Sequence, residues 1–171
     1  SFDGVMFTGY HSAASMPTNP LSHTMNGKNV YVKINDIICP ELFINALTAA
    51  YEGKPIYLLT GDKGLCEWLH KMNANIPTVA VSEGMGGASL SINPHLAVKR
   101  IREAAEKALS IDPKKLMFPM PDHFRVEIAF RNHTYATNGS HYPGCVQLDS
   151  TRVAFESNDY MDVLKFFYWV L

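Results

Sequence analysis

Excess charge of either sign is missing from this 171-residue chain: 15 Lys and Arg stand against 16 Asp and Glu, for a formal net charge of −1, and no basic tract forms. A protein that tracks a phosphate backbone or an anionic bilayer needs a concentrated positive field, so neither nucleic acid nor membrane is expected as a partner. No apolar stretch approaches the ~20 residues that span a bilayer. Cysteine is sparse too. Cys39, Cys66 and Cys145 are odd in number, far apart and without a C-x-x-C pair, which argues against a disulfide framework and a cysteine-type structural zinc site and suits a reducing cytoplasm.

The short catalytic signatures are also lacking. There is no H-E-x-x-H of the zinc hydrolases, no G-x-S-x-G elbow and no G-x-x-x-x-G-K-[ST] phosphate loop. The stretch Glu83-Gly84-Met85-Gly86-Gly87 is glycine-rich but lacks the dinucleotide-binding spacing, and is expected to be a flexible loop without a ligand. No internal repeat or low-complexity tract is present. The chain opens on Ser1-Phe2-Asp3-Gly4, with no initiator Met and no basic, then apolar, secretory signal. It is expected to be a fragment of a longer protein, folded as a single globular unit over 1–171.

What is present is an alternation of apolar strands and amphipathic helices. Residues 4–10 read as a buried, interior strand, followed by a loop stiffened by Pro17 and Pro20. Asn29–Ile34 is a strand, Asn35-Asp36 a tight turn, and Ile37-Ile38 a short return run. Pro40 suits the first position of a helix that runs to about Tyr51 and is closed by Gly53, with Glu41 in its first turn. A β-run at 55–60, Gly61-Asp62 as turn and cap, a helix to about Met72, and a strand at 78–81 follow. Asn93 and Pro94 open a helix to about Leu109 with Leu96, Ile101, Ala104, Ala105 and Ala108 inward. A proline-rich linker leads to a strand at 124–130 whose period of two implies one wet face. A β-run at 152–155 and a terminal helix capped by Ser157 or Asn158 complete the chain. The fold class is α/β: a mixed, mainly parallel sheet flanked by helices, with an α+β C-terminal portion.

His11 stands just past the end of the first strand, where side chains of open α/β sheets point into the ligand-binding crevice. His23 and Glu41 follow, and imidazole and carboxylate are the side chains that hold zinc in such crevices. Taken singly, a histidine at a strand end is more often a hydrogen-bonding residue, and a glutamate in a first helical turn more often answers the helix dipole. Two ligands also fall short of the three that a catalytic zinc site takes. A second group, His123, His133 and His141, lies in a polar region where histidines are mostly surface or hydrogen-bonding residues.

The order of motifs adds to this. Gly9-Tyr10-His11-Ser12-Ala13, Ser22-His23-Thr24-Met25, Ile34-Asn35-Asp36, Glu41-Leu42 and Gly61-Asp62 resemble the DppA-like zinc-dependent D-aminopeptidase family. The likeness continues more weakly through Val81-Ser82-Glu83-Gly84 and Ser91-Ile92-Asn93-Pro94. It implies a dinuclear zinc aminopeptidase that removes amino-terminal D-residues from short peptides or amides and assembles as a ring-shaped homo-oligomer. Residue by residue, it implies His11 and Glu41 as metal ligands and His23 as the catalytic histidine, with zinc, two ions, as the cofactor and no other cofactor-binding residues. The family's remaining ligands, an Asp-x-Glu pair and a histidine in an Asn-Asp-x-His segment, have no counterpart here. The 171 residues alone are therefore expected to be inactive. Two other readings stay open: a binding or assembly module without a full metal site, and a metal-free hydrolase using Ser22 or Ser15 with His23.

Overall fold

The computed structural model describes residues 2–171. They form two compact units: residues 2–12, Met16–Ser22 and Leu42–Met120 make the first, and Ala13–Ser15, His23–Glu41 and Pro121–Leu171 the second.

The first unit is built on a four-stranded sheet in the order β1-β4-β5-β6, where β1 is Val5–Tyr10, β4 Ile56–Asp62, β5 Thr78–Met85 and β6 Ala88–Ser91. β1, β4 and β5 run parallel, and β6 returns antiparallel to β5. Helices α1 (Glu41–Tyr51), α2 (Lys63–Met72) and α3 (Pro94–Ala108) connect and cover them. β4, one of the two interior strands, is the most buried, from Ile56 to Asp62 apart from Tyr57, as a parallel strand covered on both faces should be. α1 buries Leu42, Phe43, Ile44, Ala46 and Leu47, and the Phe43 ring meets Trp68 of α2 and Phe118. Each fully buried large side chain here contributes about 1.5–3 kcal/mol of transfer free energy.

Several expectations are corrected in this unit. β1 lies at the edge of the sheet among the described residues and is less buried than its apolar run suggests, with Met6 44% exposed; an apolar run does not by itself report how much of a strand is covered. A groove of about 610 Å³ runs beside it, lined among others by Val5, Phe7, Tyr10, Asn45 and Ala49. The glycine-rich stretch is no flexible loop. It is the β5–β6 hairpin, turned at Gly86 with φ +60°, a left-handed value that glycine adopts without steric cost. Pro40 precedes α1 rather than entering it, so Glu41 is the first helical residue. Leu96 on α3 is exposed, and Ala108 is the helix's one fully buried side chain.

The second unit is an antiparallel five-stranded sheet, ordered β3-β2-β7-β9-β8: β2 is Asn29–Ile34, β3 Ile37–Ile38, β7 Phe124–Phe130, β8 Val146–Gln147 and β9 Arg152–Ser157. The β2–β3 turn places Asn35 at φ 49° and Asp36 at φ 64°, the paired left-handed residues of a two-residue hairpin. Helices α4 (His133–Gly139) and α5 (Tyr160–Val170) pack on β7 and β9. The expected wet face of β7 is absent: as the central strand it is buried on both faces, and even Glu127 is only 8% exposed. Tyr31 Oη donates to Glu127 at 2.6 Å, and Arg125 and Arg152 stand within 3.4 Å of its carboxylate. These partners offset the burial and hold the Glu127 carboxyl below its ordinary pKa, the Tyr31 hydrogen bond foremost. The terminal helix is capped by Asp159, whose carboxylate accepts from Met161 N, and not by Ser157 or Asn158. Among the described residues no helix is long and apolar enough to cross a membrane.

Candidate metal centre

In the first unit, His11 follows directly on β1. The register of β1 against β4 slips between Phe7 and Tyr10, and Gly9 sits in the slip at φ +73° with its N–H donating to Thr60 Oγ1 at 3.1 Å. A bulge of this kind bends the strand end and re-aims the side chains beyond it. A Cβ on Gly9 would meet nothing within 4 Å, so its glycine requirement is purely conformational. At the paired end of β4, a Cβ on Gly61 would run into the Tyr10 carbonyl, so glycine there permits the close approach of the two strands.

The His11 ring is held locally. Its Nδ1 lies 3.0 Å from the Ser12 carbonyl oxygen. A carbonyl only accepts, so Nδ1 carries the proton, and in the neutral ring Nε2 carries the lone pair. Ser12 is completely buried, and both its N and its Oγ donate to the Asp62 carboxylate at 2.6 Å.

In the second unit, the structure brings His23 and Glu41 together. His23 Nε2 lies 3.8 Å from Glu41 Oε1, with 43% and 27% of the two side chains exposed. The same Oε1 accepts from Met25 N at 2.8 Å. Met25 has φ 64°, a left-handed value uncommon for a side chain of its size, and Asn26 N donates back to Thr24 O at 2.7 Å. Strain of this sort persists where surrounding bonds over-determine it, and here they do: buried Thr24 donates through Oγ1 to Cys39 O at 3.0 Å and accepts from Ala14 N, while its carbonyl accepts from Asn29 Nδ2 at 2.7 Å. The turn carrying His23 is thereby tied to the residue pair that precedes Glu41.

The serine alternatives find no support in this geometry. Ser15 Oγ donates to Val30 O at 2.5 Å, and Ser22 Oγ to Asn19 O at 2.7 Å. Each proton is committed to a backbone carbonyl rather than to an imidazole. Of the second histidine group, His123 bonds Asn158 Oδ1 at 2.7 Å and faces Glu156, while His133 is the first residue of α4.

A family model, Peptidase_M55, described as D-aminopeptidase, matches residues 1–169. The chain belongs to the D-aminopeptidase family. Among its relatives, a D-aminopeptidase of Bacillus subtilis (strain 168) is 28% identical over 167 residues, which is 96% of this chain and 61% of that protein. The solved structure of the Zn-dependent D-aminopeptidase DppA from Bacillus subtilis, described as a self-compartmentalizing protease, superposes with a TM-score of 0.84 at 28% identity, covering 99% of this chain and 64% of that one. The mixed α/β fold is therefore that of the family, and the chain spans rather less than two thirds of these relatives' length. Asp62 was legible in the sequence only as a helix cap, and Ser12 and Thr24 not at all as supports of the site. Nothing in a local pattern reveals that donors distant in the chain converge on one carboxylate.

Proposed function

We propose that this chain is part of a zinc-dependent D-aminopeptidase and carries two of its metal ligands, the whole being a cytoplasmic hydrolase that removes amino-terminal D-residues from short peptides or amino-acid amides and works as a ring-shaped homo-oligomer. His11 and Glu41 are its metal ligands on this reading, in a centre of two zinc ions, and His23 is its catalytic histidine. The carrying observation is the second-unit cluster, in which a half-exposed imidazole and a carboxylate face each other at 3.8 Å while a strained main-chain N–H fixes the carboxylate.

The donor set suits zinc, which takes imidazole nitrogen and carboxylate oxygen. When bound, zinc supplies a Lewis acid that polarises the scissile carbonyl and activates water. The protein's own contribution is positional and protonic. The Met25 N–H and the helix start hold Glu41 in one orientation. His23, open to solvent on one side, takes up a proton at Nε2 and returns it to the leaving amine.

The same 3.8 Å separation favours a second reading. Two atoms bound to one tetrahedral zinc at about 2.0–2.1 Å stand roughly 3.3 Å apart, so a small closure would make His23 a ligand. Zinc content of His23→Ala separates the two, being retained if His23 is catalytic and reduced if it ligates.

The function itself is tested by metal analysis of the full-length protein, together with hydrolysis of D- and L-alanyl amides before and after chelation and zinc restoration. D-selective turnover that a chelator abolishes and zinc restores is expected. Turnover indifferent to chelation would overturn the reading, and a protein with neither zinc nor turnover would favour the binding or assembly role.

A further inference from the structure

Asp62 makes more bonds than its place at the head of α2 requires. Capping uses one of its oxygens for one donor, Leu65 N to Oδ1 at 2.9 Å. Three further donors converge on the same carboxylate: Ser12 N to Oδ2 at 2.6 Å, Ser12 Oγ to Oδ1 at 2.6 Å, and Asn19 Nδ2 to Oδ2 at 3.1 Å. Each oxygen thus receives two bonds, and the group is only 2% exposed. A buried carboxylate needs such saturation. Hydrogen counting orders the rest. Ser12 Oγ spends its single proton on Asp62, so in the 2.6 Å contact between Ser12 Oγ and Thr18 Oγ1 it is Thr18 that donates.

Thr18 is itself locked. A Cβ on Gly64 would overlap its side chain, and Gly84 N donates to its carbonyl at 3.0 Å. Ser12 is therefore gripped at its nitrogen and its hydroxyl by an anchor fixed to α2 and β5, which sets where its carbonyl points. That carbonyl is the acceptor for His11 Nδ1.

We propose that Asp62 is the positioning residue of His11: through Ser12 it holds the imidazole as the Nδ1–H tautomer, with Nε2 as the ligating nitrogen. Metal-binding histidines commonly give their second N–H to a carboxylate or carbonyl, which fixes tautomer and ring orientation. Here the carboxylate acts one residue removed, by holding the backbone nitrogen and hydroxyl of the residue whose carbonyl receives the proton. The link to metal binding rests on the zinc reading above, whereas the tautomer claim stands on the hydrogen bonds alone.

The test uses Ser12→Ala, which leaves Asp62 and the helix cap in place, and Asp62→Ser, which keeps a capping hydroxyl for Leu65 N but cannot serve Ser12 with two oxygens. Two quantities are read: the His11 tautomer in metal-free protein by long-range nitrogen–proton NMR, and the zinc dissociation constant by competition with a chromophoric chelator. Both variants are expected to populate the Nε2–H tautomer and to weaken zinc binding, by about 10–100-fold for Asp62→Ser as for other outer-shell partners of metal ligands. A folded Ser12→Ala protein whose His11 keeps Nδ1–H and whose zinc affinity matches the parent would overturn the proposal. Should Asp62→Ser fail to fold, Ser12→Ala alone decides. If His11→Ala binds zinc as tightly as the parent, the ligand reading falls, and the tautomer measurement still decides whether Asp62 positions the ring.

Discussion

Glu41 has two roles that substitution can separate. Glu41→Ala removes both the anion and the acceptor of the Met25 N–H, whereas Glu41→Gln keeps an acceptor oxygen and removes only the charge. A hydrogen bond from a neutral donor to a charged group contributes about 1.5–3 kcal/mol when well buried. The Glu41 side chain is 27% exposed, so the lower end applies. Partial release of Met25 from φ 64° returns about 0.5 kcal/mol of that, a fraction of the roughly 1–2 kcal/mol that the left-handed conformation costs a non-glycine residue, because the bonds at Thr24 and Asn26 still hold the turn. The net loss for Glu41→Ala is then about 1 kcal/mol, which in a protein of this length lowers the melting temperature by about 2–4 °C. Glu41→Gln should stay within ~0.5 kcal/mol of the parent. Zinc binding should divide the variants differently, falling in both by on the order of a hundredfold or more, beyond the range typical for outer-shell changes. The assays are thermal melts of metal-free protein and chelator competition. Equal melting of the Ala and Gln variants would refute the Met25 clamp, and undiminished zinc affinity in either would refute ligation by Glu41.

In the full-length protein, His23→Ala should leave bound zinc at the parental level and cut turnover of a D-alanyl amide by about a hundredfold or more; parental turnover would make His23 structural. In the second unit, Asp149 is held down to about 2 from its ordinary 3.8, first by the Thr151 N–H and then by Arg152, and Glu127 is lowered from 4.5. Both are depressed, so their stabilisation is present above the ordinary values and disappears as pH falls through the folded ones. Acid melts between pH 5 and 2 of Glu127→Gln and Asp149→Asn should consequently slope less than the parent's, and identical slopes would count against these pairings. Burial pushes the thiols of Cys66 and Cys145 up to about 11, and Cys39 is wholly buried. A colorimetric disulfide reagent at pH 8 should therefore react slowly with native protein and fully with denatured protein; a thiol that reacts at once in the native state would contradict this.

The features legible in the chain were those whose causes lie within a few residues. Asp62 and Asn93 cap their helices because a short side chain reaches an N–H two or three residues on. Asn35-Asp36 turns the β2–β3 hairpin because these residues tolerate positive φ. The strand and helix runs of a mixed α/β protein were visible by period, and the family by the spacing of short motifs. Tertiary structure alone decided which strands are neighbours. β2 pairs with β7, bringing Ile34 opposite Val126, so the early strand joins the C-terminal sheet; β1 lies at an edge, and β7 is buried on both faces. The same holds for the supports of the candidate site. Asp62 gathers donors from Ser12, 50 residues away, and Asn19, 43 away, and Glu41 takes the N–H of a strained Met25 from 16 residues back. Hydrophobic period reports that a face is buried but not by what, and a polar residue looks the same in sequence whether it meets water or four converging donors. That difference exists only once distant segments have been packed together, where an unpaired buried charge would be too costly to keep.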